Sequence, residues 1–320
     1  MPNTPSTTTT TSRVLVATRI HGQETTAATP FDGAKLRAFL RSAVGYADAV
    51  AVAVEVADVF HPSLLVAVQD VAKEFGGCSI DVLPVTPWGR FVPALNAALA
   101  FASQRDFSHI LFLSLEMDLT PAAFRALLVN FDPAEDLVVG AALEGHHFQP
   151  GRRPLTGVTT PWNTCALWSV SKLSLSGFLA VSEGLMHDKT VGGVEEVAVI
   201  ALAQQCLRPR PWTSSKLGSL FRWSTKVTSA GAADAGDKGG GRGMRAKLLH
   251  LEGHLAWKVD WTDPVRQEWH RKKMQSKVAR AALQLQALGL ANSTREVSAA
   301  TAVVWHIQVP PPELSASPTT

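Results

Sequence analysis

The stretch HILFLSLEMDLTP, His109 to Pro121, joins an apolar run to the start of a helix. Ile110 to Leu113 are four consecutive apolar residues, and with His109 they have the length of a short strand buried on both faces. The run breaks off at Ser114, Glu116 and Asp118, and Thr120-Pro121 then opens a helix with proline in its first turn. Carboxylates at the end of a buried strand are costly unless they are paired or hold something. Open α/β sheets bind ligands outside the carboxyl ends of their strands, so Glu116 and Asp118 mark where a site is expected.

Working outward, strand and helix signals alternate through the first half of the chain. Strands are expected over 14–19, 49–56, 80–85, 109–115 and 137–143, with helical spacing over 33–44, 62–75, 92–103 and 121–130. Continuous apolar strands separated by helices make an open, mainly parallel sheet with helices on both faces. The second half is mixed. A strand is expected over 164–170, a helix over 194–206 and a last strand over 301–309. A long helix opens at Pro264, with Met274, Val278, Ala281, Leu285 and Leu288 as its buried stripe. The expected boundaries are a disordered tail over 1–12, an α/β domain over 13–228 and a flexible Gly-rich loop over 229–243. A C-terminal helical extension over 244–309 would pack on the domain, before a second tail over 310–320.

With 46% hydrophobic and 18% charged residues, the 320-residue chain has the composition of a soluble globular protein. Its net charge of +3 is too mild to imply a nucleic-acid partner, but it suits a small anion. Cys78, Cys165 and Cys206 lie far apart with no CxxC pair, which favours reduced thiols and an intracellular setting. The run YADAVAVAVEVADVF is broken by Asp48, Glu55 and Asp58, so no transmembrane segment is expected. MPNTPSTTTTTS has neither the apolar core of a secretory signal nor the arginines of a transit peptide. The expected location is the cytoplasm, with organelle targeting left open.

PWGRFVPALNAALAFA, residues 87–102, places Gly89 before a helix that carries Ala94, Asn96 and Ala98. With Ser114-Leu115-Glu116, Leu119-Thr120-Pro121 and the later pair Glu195-Glu196, the chain over about 13–205 resembles the family 2 nucleotide-sugar glycosyltransferases. These have the open-sheet fold called GT-A. They carry Ala-x-Asn-x-Gly on that helix, Asp-x-Asp at the strand end, Leu-x-Pro after it, and a Glu-Asp pair opening a later helix. Here Ser114 replaces the first acid of the Asp-x-Asp motif, Ala98 replaces the last glycine, and Glu196 stands for the aspartate of the pair.

The resemblance implies a GT-A-like hexosyltransferase that moves a sugar from a nucleotide-diphosphate donor to an unknown acceptor, with inversion. It implies Mn or Mg held by Glu116, with Asp118 partly compensating for Ser114 and His254 as a late ligand. Glu196 would be the base, with Glu195 beside it. Thr18, Arg19, Glu55, Asn96 and Ser114 would meet the nucleotide.

Trp162, Asn163 and Trp88 are the candidates for sugar or acceptor contact, because sugar C–H faces stack on indole and amides read hydroxyls. Each residue has a plainer reading. Glu116 and Asp118 can serve only the dipole of the following helix. Glu55 can be a solvated strand end, and Arg19 a surface arginine. Lys273, Lys277 and Arg280 share a helix face at 4-3 spacing, which suits either a diphosphate or plain solvent. Two other functions stay open. One is a degenerate scaffold that keeps the fold without activity, which Ser114 favours. The other is a nucleotidyltransferase, disfavoured because no glycine- and basic-rich loop with a lysine follows the first strand.

Overall fold

The computed structural model describes residues 12–22, 31, 33–56, 63–184, 192–207, 243–251, 255–257, 264–290 and 302–310. The expected tails and the Gly-rich loop fall outside these residues, apart from Ser12, Gly243 and Pro310.

Successive side chains of a strand point to opposite faces, and β1 (Val14–Ile20) is apolar on both. Val14 and Val16 pack into one core cluster, Leu15 and Ala17 into another. The elements then follow as α1 (Gly33–Ala43), β2 (Ala49–Glu55), α2 (Ser63–Lys73), β3 (Ile80–Val85), α3 (Val92–Gln104) and β4 (His109–Leu113). Next come β5 (Met117–Leu119), α4 (Pro121–Val129), β6 (Asp136–Ala141), β7 (Gly151–Pro154), β8 (Cys165–Ser169), α5 (Val170–Leu173) and α6 (Glu195–Leu202). The chain closes with β9 (Arg245–Leu251), β10 (Leu255–Trp257), α7 (Pro264–Ala287) and β11 (Val303–Val309).

The central sheet has the order β3-β2-β1-β4-β8-β6-β9-β11-β7, and only β8 and β7 run against their neighbours. α1, α2 and α4 cover one face through Leu36, Val68 and Leu127. α3, α5, α6 and α7 cover the other through Leu95, Leu173, Ile200 and Leu285. This is the open, mostly parallel α/β sheet expected from the sequence.

Two features depart from the sequence reading. Strand 164–170 was expected without a direction, and as β8 it lies antiparallel between β4 and β6. The stretch 244–309, expected as a helical extension, does carry α7, and it also gives β9 and β11 to the sheet.

A buried charge helps fix β9 beside β6. Asp136, fully buried at the start of β6, meets Arg245 Nε at 2.5 Å and Lys247 Nζ at 2.6 Å from β9. Removing one partner of such a group leaves an uncompensated buried charge. The cluster sits at the edge of the sheet away from the carboxyl ends of the parallel strands. All three cysteines are unpaired. Among the described residues, no helix is long and apolar enough to cross a membrane.

Candidate functional site

β2, β1 and β4 are parallel neighbours, so their carboxyl ends open on one edge of the sheet. There Thr18 and Arg19 of β1 and Ser114, Leu115 and Glu116 beyond β4 line a cleft of ≈ 540 Å³. Ala94, Leu95 and Ala98 of α3 form part of the wall, as do residues 162–164 and Lys273, Met274 and Lys277 of α7. Thr18 is only 4% exposed, and its hydroxyl has no hydrogen-bond partner among the described residues. Among the described residues, Arg19, Lys35, Lys273 and Lys277 face the cleft against one carboxylate, Glu116. Like-signed charges lining a cleft focus the field on an ion of the opposite sign, here an anion.

Lys35 was not found in the sequence reading. It lies in α1, 15 residues beyond the end of β1, and nothing in its local pattern marks it. It stands in a helix, not in a glycine-rich loop after the first strand.

The acid pair is built by a sharp entry into α6. Gly193 has φ +120° and Val194 φ 56°, both in the left-handed region. A Cβ on Gly192 would lie 2.6 Å from the Glu183 carbonyl, so this close approach needs glycine. Arg280 Nη1 donates to Gly192 O, and Gln284 Nε2 donates to Gly193 O at 2.6 Å. Arg280 also donates to Ser276, so its guanidinium braces this turn and α7.

Glu195 and Glu196 are both buried in the first turn of α6, where the helix dipole favours negative charge. Glu195 lies 3.7 Å from Arg19 and accepts from Asn163 Nδ2 at 3.2 Å. Glu196 Oε1 accepts the Asn163 backbone N–H at 2.5 Å. Burial first, and then the charge of Glu195, raise the Glu196 carboxyl well above the ordinary range. Lys277 is lowered by burial, against the opposing pull of Glu196. Glu196 does not line the cleft; it is buried behind Asn163.

Several residues expected to touch substrate are turned inward instead. Asn163 lines the cleft, but its Oδ1 accepts from Trp168 Nε1 at 2.9 Å while its Nδ2 holds Glu195, so the amide organises the acid pair. Trp162 also lines the cleft, yet it is only 2% exposed. His146 stacks on its indole at 3.6 Å, and Lys277 Nζ lies 3.1 Å from a ring centroid. It is a packed wall with a cation on its face, not an open platform for a sugar.

Asn96 does not line the cleft: its Nδ2 donates to Phe178 O at 3.0 Å and its Oδ1 accepts Phe178 N–H at 2.8 Å. Glu55 accepts the Gly22 N–H at 2.8 Å, tying down the chain after β1. Trp88 is buried with Ala53, Val85 and Ala94, and its ring lies 6.3 Å from that of His21 in the cleft wall.

The acids that opened the sequence reading part company. Glu116 lines the cleft, and its charge acts on Lys273. Asp118 lies in the short ladder of β5 with β10, opposite Ala256, and is absent from the cleft wall. Neither caps α4; the Thr120 hydroxyl does, accepting the Ala123 N–H at 3.1 Å. His254 lies outside the described residues.

Among the described residues, no three His, Cys, Asp or Glu side chains are grouped to hold a metal ion. A hard divalent cation takes oxygen ligands, preferably anionic ones. One exposed carboxylate beside an ammonium is a poor donor set for it. The expected Mn or Mg therefore does not fit the described wall.

Glu183 is a further residue the sequence did not reveal. Its carboxylate accepts the N–H groups of Arg90, Phe91 and Val92 at the start of α3, 91 to 93 residues away. A second groove of ≈ 760 Å³ runs along α7, lined by Glu144, His147, Arg271 and Val278. Met274 borders both this groove and the cleft.

No family model matches the chain, and no curated protein matches its sequence. Among solved structures, TarS 1-349 of S. aureus is similar with a TM-score of 0.39 and 11% identity, over 59% of this chain and 54% of that one. The same protein in complex with UDP-GlcNAc gives a TM-score of 0.35 and 13% identity, over 52% of this chain and 48% of that one. The inositol-1-phosphate CTP transferase from T. maritima gives 0.36 and 9%, over 54% and 78%. The chain spans about half the length of the TarS structures it matches.

Proposed function

We propose that the protein binds a nucleotide-diphosphate sugar in the cleft and transfers the sugar to an acceptor hydroxyl with inversion. One observation carries this reading: a cation-lined cleft at the carboxyl ends of parallel strands, adjoined by the buried pair Glu195-Glu196. The diphosphate would lie among Arg19, Lys273 and Lys277, with the Thr18 hydroxyl free to donate to it. Glu195 positions Arg19 and Asn163. Glu196 would take the proton of the acceptor hydroxyl once Asn163 moves from between them. Its raised pKa brings it toward the operating pH, where a general base works best.

The test is a transfer or hydrolysis assay on a panel of nucleotide sugars with the wild type and Glu196→Gln. Turnover by the wild type and its loss in the variant, with donor affinity kept, supports the assignment.

A second reading has its own support. Glu196 is held behind Asn163, and Ser114 replaces an acid of the family motif, which favours a binding protein without transfer. Donor binding with no turnover for any sugar in the panel would select it.

A further inference from the structure

We infer that α7 supplies the counter-charge for the donor diphosphate, with the ammonium groups of Lys273 and Lys277 acting beside Arg19 in place of a divalent cation. This rests on the nucleotide-sugar reading above and specifies how that site holds its ligand. Lys273 and Lys277 are four residues apart, so they lie one turn above the other on the same face of α7. Both line the cleft, and Arg19 of β1 lines it too.

Lys277 is held in place from several sides. Its Nζ lies 3.1 Å from a ring centroid of Trp162, whose Nε1 donates to Gly157 O at 2.9 Å. Gly157 lets α7 approach closely, since a Cβ there would lie 2.3 Å from Lys277 O. Arg280, the third cation of the stripe, is bonded to Gly192 and Ser276 and does not line the cleft.

Three observations independent of the lysines point to a ligand of this chemistry. Among the described residues, the buried Thr18 hydroxyl in the wall has no hydrogen-bond partner. Among the same residues Glu116 is the one carboxylate in the wall, and Asp118 stands outside it. No metal-holding group of three is present among the described residues. Ammonium groups can neutralise phosphate oxygens as point charges, with no coordination geometry to satisfy.

The experiment is calorimetric titration of the full chain with UDP, GDP, CDP and ADP, each in EDTA and in Mn²⁺. The variants are Lys273→Ala and Lys277→Met; methionine keeps an apolar stem against Trp162. Thermal unfolding of each variant establishes that it folds. At least one nucleotide is expected to bind in EDTA within about threefold of its affinity in Mn²⁺. Each variant is expected to weaken that binding by about tenfold or more in both buffers. Binding that appears only with Mn²⁺ overturns the inference and leaves the nucleotide reading standing. Unchanged affinity in both folded variants also overturns it. Failure of all four nucleotides in both buffers overturns the underlying reading, and this inference with it.

Discussion

The backbone N–H of Asn163 is bonded to Glu196 Oε1 at 2.5 Å, which joins the residue that lines the cleft to the acid behind it. This contact separates two substitutions that would otherwise look alike. Glu196→Gln keeps an acceptor oxygen for Asn163, so stability and nucleotide affinity should stay near wild type while transfer falls by about a hundredfold or more. Glu196→Ala leaves a buried N–H unsatisfied, at about 1–3 kcal/mol. Denaturation and turnover measured on both variants check this. Equal turnover in wild type and Glu196→Gln would remove Glu196 from the chemistry.

Asn96 tests whether the family motif or the observed contacts describe its role. Both atoms of its amide are bonded to Phe178, so Asn96→Ala should cost about 1–3 kcal/mol of stability. Nucleotide affinity should remain within about twofold of wild type. A large loss of affinity in a variant of near-native stability would return Asn96 to the nucleotide site.

Gly157→Ala tests the seating of α7. The added methyl would lie 2.3 Å from Lys277 O, and backbone on both sides leaves little room to yield. The expected result is a loss of about 1–3 kcal/mol together with weaker nucleotide binding, as α7 moves off Trp162. Chemical denaturation and calorimetry read the two effects. Unchanged values of both would show that this contact does not set the position of Lys277.

His109 should make stability depend on acid. It is buried, edge-on to Phe131 at 4.5 Å, with Nδ1 2.9 Å from Ser12 Oγ. Burial first, and then the charge of Lys172, push it down to about 4. Between about 6.5 and about 4 the unfolded chain therefore binds more protons than the folded one, and stability falls as pH drops through that window. The loss from a shift of this size is on the order of 3 kcal/mol. His146, lowered to about 3 mainly by burial, acts in the same direction. Denaturation at pH 7, 5.5 and 4 should show a shallower loss in His109→Phe than in wild type. Identical slopes would contradict it.

The sequence made the sheet legible because continuous apolar runs such as AVAVAV and ILFL admit few other structures. It was silent about the direction of β8 and about the places of β9 and β11, because a strand buried on both faces reads the same in either direction and beside any neighbour. The site was legible as far as position along the chain determines it: Thr18 and Arg19 lie near the end of β1, and Ser114 and Glu116 follow β4, strands that end on one edge. It was illegible where the decisive partner is remote. Asn96 is bonded 82 residues away, Asn163 holds acids 32 and 33 residues on, and Glu183 reaches back to the start of α3. Trp162 follows Pro161, and nothing in that local pattern shows that its indole is covered. α7 covers it through Lys277, a contact across more than one hundred residues that no local pattern records.

The most direct test of the central claim, that the cleft at the strand ends holds a nucleotide-diphosphate sugar, is hydrogen–deuterium exchange. The full chain would be measured alone and with UDP-glucose, UDP-N-acetylglucosamine or GDP-mannose. At least one of these is expected to slow exchange around 17–21, 113–116 and 273–277 together, and to leave 144–147 unchanged. No slowing with any nucleotide sugar, or slowing confined to 144–147 in the second groove, would contradict it.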